Sequence, residues 1–321
     1  MKKYFFIAMA MSGLLFFSCA DEKKDKAEPE IAEVKTDDFN YMVEQFADVK
    51  VLRYQISGWD QLSLKEQKLV YYLTQAGLEG RDIMWDQNYR HNLTIRKALE
   101  NVYTSYSGDK TSEDWKNFVT YMKRVWFSNG IHHHYSNDKI RPGFSSEYLQ
   151  TLLSETNTTL EGEAFDVIFN EKDSKKVNQA KGVDNVALSA VNFYGPNVTS
   201  KDVETFYAAK KSPDPKKPLS YGLNSQLVKE NGVLKERVYK SGGLYGAAID
   251  KIISWLEKAQ GVAENKAQGD AIGLLIEYYK TGDLQTWDDI IDVGKRLTRD
   301  TNGDGKIDIY ALHNLDDIHF M

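Results

Sequence analysis

From Phe39 onward the apolar residues recur mainly with the 3.6-residue period of amphipathic helices, not with the alternation of strands. Ser63 and Glu66 have capping-box spacing, and Leu69, Val70 and Leu73 follow on one face, which predicts a helix that opens at Ser63 and ends at Gly77. Thr111 and Asp114 predict a second helix start. Behind them Trp115, Phe118, Val119 and Met122 fall at i, i+3, i+4 and i+7, with Gly130 as the stop. Ile249, Ile252, Ile253 and Leu256 make a third face, and Leu274, Leu275 and Tyr278 a fourth, closed at Gly282. Such stripes are core faces.

Strand patterns are fewer. LVKENGVLKERVY (residues 227–239) predicts a hairpin, because Asn231 and Gly232 supply the positive φ angles of a type I′ turn between two short strands. AFDVIF (164–169) and VALSAV (186–191) are further strand candidates, and Pro213, Pro215 and Pro218 predict an extended connection feeding the hairpin. There is no internal repeat. The expected class is α+β, helix-rich, with a small antiparallel β-barrel or sheet.

The N-terminus has a different pattern. Lys2 and Lys3 precede an apolar stretch of 14 residues, Tyr4 to Phe17, too short to span a bilayer as a helix. Ser18 then sets a small residue before Cys19. This resembles a bacterial lipoprotein signal, cut before the cysteine, whose acylation would anchor the chain; the alternative is a simple secretory signal with an incidental cysteine. Residues 20–38 hold eight acids and four bases, with Ile31 and Val34 as their sizeable apolar groups, and so predict a solvated tether. The Asp21–Glu22 pair resembles the export signals of Bacteroidetes surface lipoproteins. The expected parts are therefore a signal peptide (1–18), an anchored tether (19–38), a folded region (39–289) and a divergent tail (290–321). The expected location is the cell envelope, on the outer membrane, facing the periplasm or the surface.

Composition narrows the functional classes. The 321 residues carry 41 basic and 47 acidic side chains, a net of −6, and the net becomes −8 once Lys2 and Lys3 leave with a signal. That balance disfavours nucleic acid as a partner. With 41% hydrophobic and 12% aromatic residues the chain can bury a core. One cysteine permits neither an internal disulfide nor a cysteine-based zinc cluster. No Gly-rich phosphate loop, G-x-S-x-G elbow or His-Glu pair is present.

Two segments concentrate titratable groups. FSNGIHHHYSNDK (127–139) sets His132, His133 and His134 in a row after a helix; on a strand only His132 and His134 would share a face, so a hydrogen-bonding role competes with metal ligation. In DTNGDGKID (300–308), Asp300, Asn302, Asp304 and Asp308 occupy positions 1, 3, 5 and 9 of a calcium loop, with Gly305 at 6. Position 12 is Ala311 where a bidentate Glu belongs. A weak calcium site and a polar Gly-rich turn are the two readings.

Six segments in order, MWDQNYRHNLTIRKALE (84–100), YMKRVWFSNGIHHHYSNDK (121–139), NFYGPNVTSKDVETFY (192–207), SYGLNSQLVKENG (220–232), GGLYGAAIDKIISWLEKAQ (242–260) and IEYYKTGDLQTWDD (276–289), resemble the dipeptidyl peptidase III family of zinc exopeptidases in its Bacteroidetes form. The resemblance implies about half of a two-lobed fold around a cleft, the lobe built around a small β-barrel, and a whole enzyme that releases N-terminal dipeptides from short peptides. The family's zinc is held through H-E-x-x-G-H and E-E-x-R-x-[ED], and neither motif occurs in these 321 residues. The implied cofactor therefore has no ligands here, no catalytic residue carries over, and no hydrolysis by this chain is expected. By position in the family order, Asn129, His133, His134 and Tyr135 would lie at the substrate cleft, with Tyr135 packing on the peptide, and Asn224 and Ser225 on a polar strand near the barrel. Residues 286–312 resemble instead part of an extracellular sugar-binding lipoprotein. A peptide- or sugar-binding surface lipoprotein without chemistry is the competing function.

Overall fold

The computed structural model describes residues 39–170, 176–212, 214–216 and 218–297. Contacts divide the chain into two units, Met1–Tyr41 and Met42–Met321. In the described part of the first, the rings of Phe39 and Tyr41 meet edge-on at 4.8 Å. The second unit opens with a hairpin, β1 (Met42–Phe46) and β2 (Val49–Leu52), and continues through α1 (Leu64–Glu79), α2 (Arg81–Asn88), α3 (Asn92–Ser105), α4 (Glu113–Ser128), α5 (Ser146–Glu155), α6 (Glu163–Phe169) and α7 (Ser200–Ala208). A second hairpin follows, β3 (Ser225–Glu230) and β4 (Val233–Val238), then α8 (Gly246–Gln260), α9 (Lys266–Thr281) and α10 (Leu284–Leu297). The class is α+β as expected. Its sheet content is two antiparallel hairpins, and no closed barrel forms among the described residues.

The apolar stripes fill two cores. Helices α3 to α6 enclose the first, in which Ile95, Phe118, Met122, Leu149 and Leu152 are fully buried together with Trp85 and Tyr89. Helices α1, α8, α9 and α10 enclose the second, around Leu73, Ile252, Leu256, Leu275 and Trp287. Each such side chain stabilises the fold by about 1.5–3 kcal/mol. Between them runs α2, whose Trp85 belongs to the first core while Ile83 packs on the second. The elements that carry polar side chains to the border of the cores are therefore held from both sides.

Local chemistry sets the helix ends. The Ser63 N–H donates to Glu66 Oε2 at 2.6 Å and Glu66 N–H to Ser63 Oγ at 3.3 Å, the reciprocal capping box that the spacing predicts. Helix α1 runs on past Gly77 and closes at Gly80, since a single glycine costs a helix only about 1 kcal/mol. The second start is capped by Ser112, which accepts from Trp115 N–H, while Thr111 is held by Asp109. Asn129, left-handed at φ 52°, closes α4 ahead of Gly130. Gly282, also left-handed, closes α9.

Two strand expectations are overturned. AFDVIF forms α6, because Phe165, Ile168 and Phe169, and Ala164 with Val167, satisfy the helical period as well as an extended run, and Val167 and Ile168 drop into the first core. VALSAV is a turn followed by extended backbone that docks just after α2, with Arg90 N–H donating to the Ala190 carbonyl at 3.1 Å. The 227–239 hairpin forms with Asn231 and Gly232 at φ 50° and 80°, although β3 starts two residues earlier, at Ser225. On its other side β3 is met in parallel by residues 193–195, through Leu227 N–H to the Phe193 carbonyl (3.1 Å) and Gly195 N–H to the Leu227 carbonyl (2.8 Å). The sequence boundary at 289/290 falls inside α10. Among the described residues no helix is long and apolar enough to cross a membrane.

Candidate functional site

Asn224, Ser225 and Gln226 are consecutive and all buried, at 5%, 3% and 7% exposure. A strand with one solvated face would expose every second residue; here β3 is covered on both faces, so each polar side chain must find a partner inside the protein. Asn224 Nδ2 donates to the Gly282 carbonyl at 2.8 Å and so ties β3 to the end of α9. Ser225 Oγ donates to Glu236 Oε1 at 2.7 Å. Gln226 Nε2 reaches Asn192, donating to Oδ1 at 2.7 Å and to its carbonyl at 3.1 Å.

Asn192 passes the network on to α2. Its backbone N–H donates to the Gln87 carbonyl at 3.0 Å and its Nδ2 to Asp86 Oδ2 at 2.8 Å. The same carboxylate oxygen accepts from Tyr245 Oη at 2.6 Å. Tyr245 precedes α8 in the left-handed region, φ 62°, a conformation that a bulky residue holds only where its surroundings impose it. Burial, then the hydrogen bond to Asp86 and that carboxylate's charge, raise the Tyr245 phenol far above the ordinary tyrosine range, so it stays a donor. Among the described residues Asp86 has no cationic partner. Its half-buried charge is met by two neutral donors, which leaves it competent to accept a hydrogen bond from an added cation.

Glu236 faces Ser225 from β4 and is saturated. Tyr207 Oη donates to Oε1 at 3.0 Å, and Lys210 pairs with Oε2. Burial pushes its acidity toward higher pKa, but the hydrogen bonds from Lys210, Ser225 and Tyr207 and the Lys210 charge outweigh it and hold the carboxyl below the usual range. This group is a structural tie between α7 and the hairpin.

The histidine loop is divided. His132 is buried, bridged backbone-to-backbone with Lys139, its ring edge-on to Tyr89 at 4.8 Å. His133 and His134 are exposed with rings 4.4 Å apart, and Tyr135, 89% exposed, packs on His134 at 4.1 Å. The loop is pinned by Asn137, which exchanges hydrogen bonds with the Val177 backbone at 2.8 and 2.9 Å. Asn129 acts through its backbone: its carbonyl accepts from Asn92 Nδ2 at 3.3 Å, and Asn92 Oδ1 accepts from Ile131 N–H at 3.1 Å. Of the residues expected to contact substrate, Asn224 and Ser225 border the polar seam, while His133, His134 and Tyr135 stand on the exposed loop. Residues 86–92 connect the groups, with Asp86 in the seam and Tyr89 against His132. Asp86, Asn192, Gln226 and Tyr245 carry the seam without standing out in the sequence; the one local signal was the polar run Asn-Ser-Gln inside a strand.

Among the described residues no three His, Cys, Asp or Glu side chains come together as a metal site. The zinc that the family resemblance implies therefore meets no ligand set of three among these residues. Cys19 and the calcium-loop positions Asp300, Asn302, Asp304 and Asp308 lie outside the described residues.

No family model matches the chain, and no curated protein matches it. Among solved structures, dipeptidyl peptidase III from Caldithrix abyssi is similar over 83% of this chain at 16% identity and a TM-score of 0.47. The chain spans 39% of that enzyme's length. The likeness is one of coarse arrangement and assigns no activity.

Proposed function

We propose that this chain is a peptide-binding region of a dipeptidyl peptidase III-like protein and that the Asp86 seam receives the peptide's free amino group. One observation carries the reading. Asp86, Asn192, Gln226 and Tyr245 come from four of the six segments that resemble the family, yet they meet in one hydrogen-bond network around a carboxylate with no cationic partner among the described residues. A protonated amine would supply that charge, and exposed Tyr135 offers a ring for the peptide to pack on. In this reading Cys19 is the lipid anchor, residues 20–38 are the tether, and the site faces the periplasm or the surface. The zinc motifs are absent from these residues, so binding proceeds without hydrolysis.

Calorimetry on the full chain tests this with tri- to pentapeptides carrying a free or an acetylated N-terminus. A hydrogen bond to a charged group contributes about 1.5–3 kcal/mol, so acetylation, or Asp86→Asn, should weaken binding by roughly ten- to a hundredfold. Equal affinity for free and acetylated peptides rejects the assignment to Asp86. Sugar binding with no peptide binding favours the solute-binding alternative. Zinc-dependent release of a fluorophore from a dipeptidyl substrate by this chain contradicts the absence of hydrolysis.

A further inference from the structure

The Asn231–Gly232 turn decides which backbone groups of the second hairpin are used. In a two-residue hairpin the flanking residues, here Glu230 and Val233, form a hydrogen-bonded pair, and the bonding then alternates along both strands. Val233, Lys235 and Arg237 therefore direct their N–H and C=O toward β3, and Leu234, Glu236 and Val238 direct theirs away from it. The same alternation turns Leu227 of β3 outward, where residues 193–195 satisfy it. On the outer side of β4 the Val238 carbonyl accepts from Leu244 N–H at 2.9 Å. Among the described residues the backbone groups of Leu234 and Glu236 have no partner there. A row of unpaired donors and acceptors on an outer strand is a template for one more strand.

The sequence that contains this hairpin is basic within an acidic chain. Residues 201–240 hold nine Lys and Arg against five Asp and Glu, a net of +4 within a chain of net −6. On β4 itself Lys235 and Arg237 are exposed and, among the described residues, share one anion, Glu230, which Arg237 Nη2 approaches to 2.6 Å.

We propose that the outer edge of β4 docks an extended acidic peptide segment by strand addition. An incoming antiparallel strand would exchange hydrogen bonds with Leu234 and Glu236. Its residues opposite Lys235 and Arg237 would then sit in the closer, non-hydrogen-bonded pairs, where opposite charges attract across strands. An apolar residue opposite Leu234 covers that half-buried side chain. The segment recognised thus carries acids two residues apart, flanked by an apolar residue. This surface is separate from the Asp86 seam and needs no free amino group.

The test uses the full chain with Thr-Glu-Thr-Glu-Val-Thr, acetylated and amidated so that it cannot engage the seam through an amine, and Thr-Lys-Thr-Lys-Val-Thr as its counterpart. Amide hydrogen exchange read by NMR should slow at least tenfold at Leu234 and Glu236 with the acidic peptide, and stay unchanged at Val233, Lys235 and Arg237, which are already bonded. Lys235→Glu combined with Arg237→Glu should weaken the acidic peptide about tenfold by fluorescence anisotropy. Unchanged exchange at Leu234 and Glu236, or equal protection by the lysine peptide, overturns the proposal. Should the double variant misfold, the exchange pattern of the unaltered chain decides.

Discussion

Replacing Tyr245 by phenylalanine removes one oxygen and leaves the ring against Tyr239, 5.1 Å away between centroids. The lost interaction is a 2.6 Å hydrogen bond to a half-buried carboxylate, in the class worth about 1.5–3 kcal/mol. Asn192 remains on the same oxygen, which places the expected loss near 2 kcal/mol rather than at the top of that range. For a chain of this size that lowers the Tm by roughly 3 °C. Urea unfolding should show a lower midpoint with an unchanged slope. In a double-mutant cycle with Asp86→Asn, the two changes should couple by about 1 kcal/mol, because the residues touch. A loss under about 0.5 kcal/mol, or strict additivity with Asp86→Asn, would refute the claim that the Tyr245–Asp86 hydrogen bond stabilises the fold.

Further consequences can be measured with the same instruments. Gly130→Ala should cost about 2–4 kcal/mol in urea unfolding, since its Cβ would stand 2.2 Å from Asn92 Nδ2 and 2.7 Å from Oδ1, breaking the amide's bonds to Asn129 and Ile131. Gly232→Ala, where nothing lies within 4 Å of the new Cβ, should cost only about 1 kcal/mol; equal losses at the two sites would show that the Asn92 contact does not matter. Glu236 is held below the ordinary carboxyl range in the folded state, so its stabilisation is present above the unfolded value of about 4.3 and is lost as pH falls through the folded one. Glu236→Gln should therefore be less stable than the unaltered chain by about 1.5–3 kcal/mol at pH 7, and the gap should close below about pH 4. A gap independent of pH would mean that the carboxylate's charge is not what the surrounding donors stabilise.

Much of the helical framework was legible along the chain because it is a local property. The stripe Trp115, Phe118, Met122 and the stripe Ile249, Ile252, Ile253, Leu256 are buried as their spacing requires, and the Ser63–Glu66 box closes as a three-residue interval predicts. Ambiguity entered where two local rules agreed on incompatible structures. Residues 164–169 satisfy both periods, and only their fit into the first core selects helix. Thr111 and Ser112 are both acceptable caps, and the Asp109 carboxylate, by claiming Thr111, leaves the cap to Ser112. The row of histidines looked like one chemical unit. The bridge between His132 and Lys139 instead turns His132 inward and its two neighbours outward.

The amino-acid order by itself determined the α+β class, the type I′ hairpin and the faces of the main helices, because propensity, capping and periodicity act over a few residues. The tertiary structure alone decided the seam. Asp86, Asn192, Gln226 and Tyr245 are single polar residues spread over 160 positions of sequence, and nothing in their spacing joins them. They become a unit because α2 lies between two separate cores and β3 is covered on both faces, so polar groups arriving there lose water and must bond to one another. The open edge of β4 has the same origin. A residue's neighbours in sequence make it a strand, and only the arrangement around the hairpin leaves the outer edge of β4 at Leu234 and Glu236 without a backbone partner among the described residues.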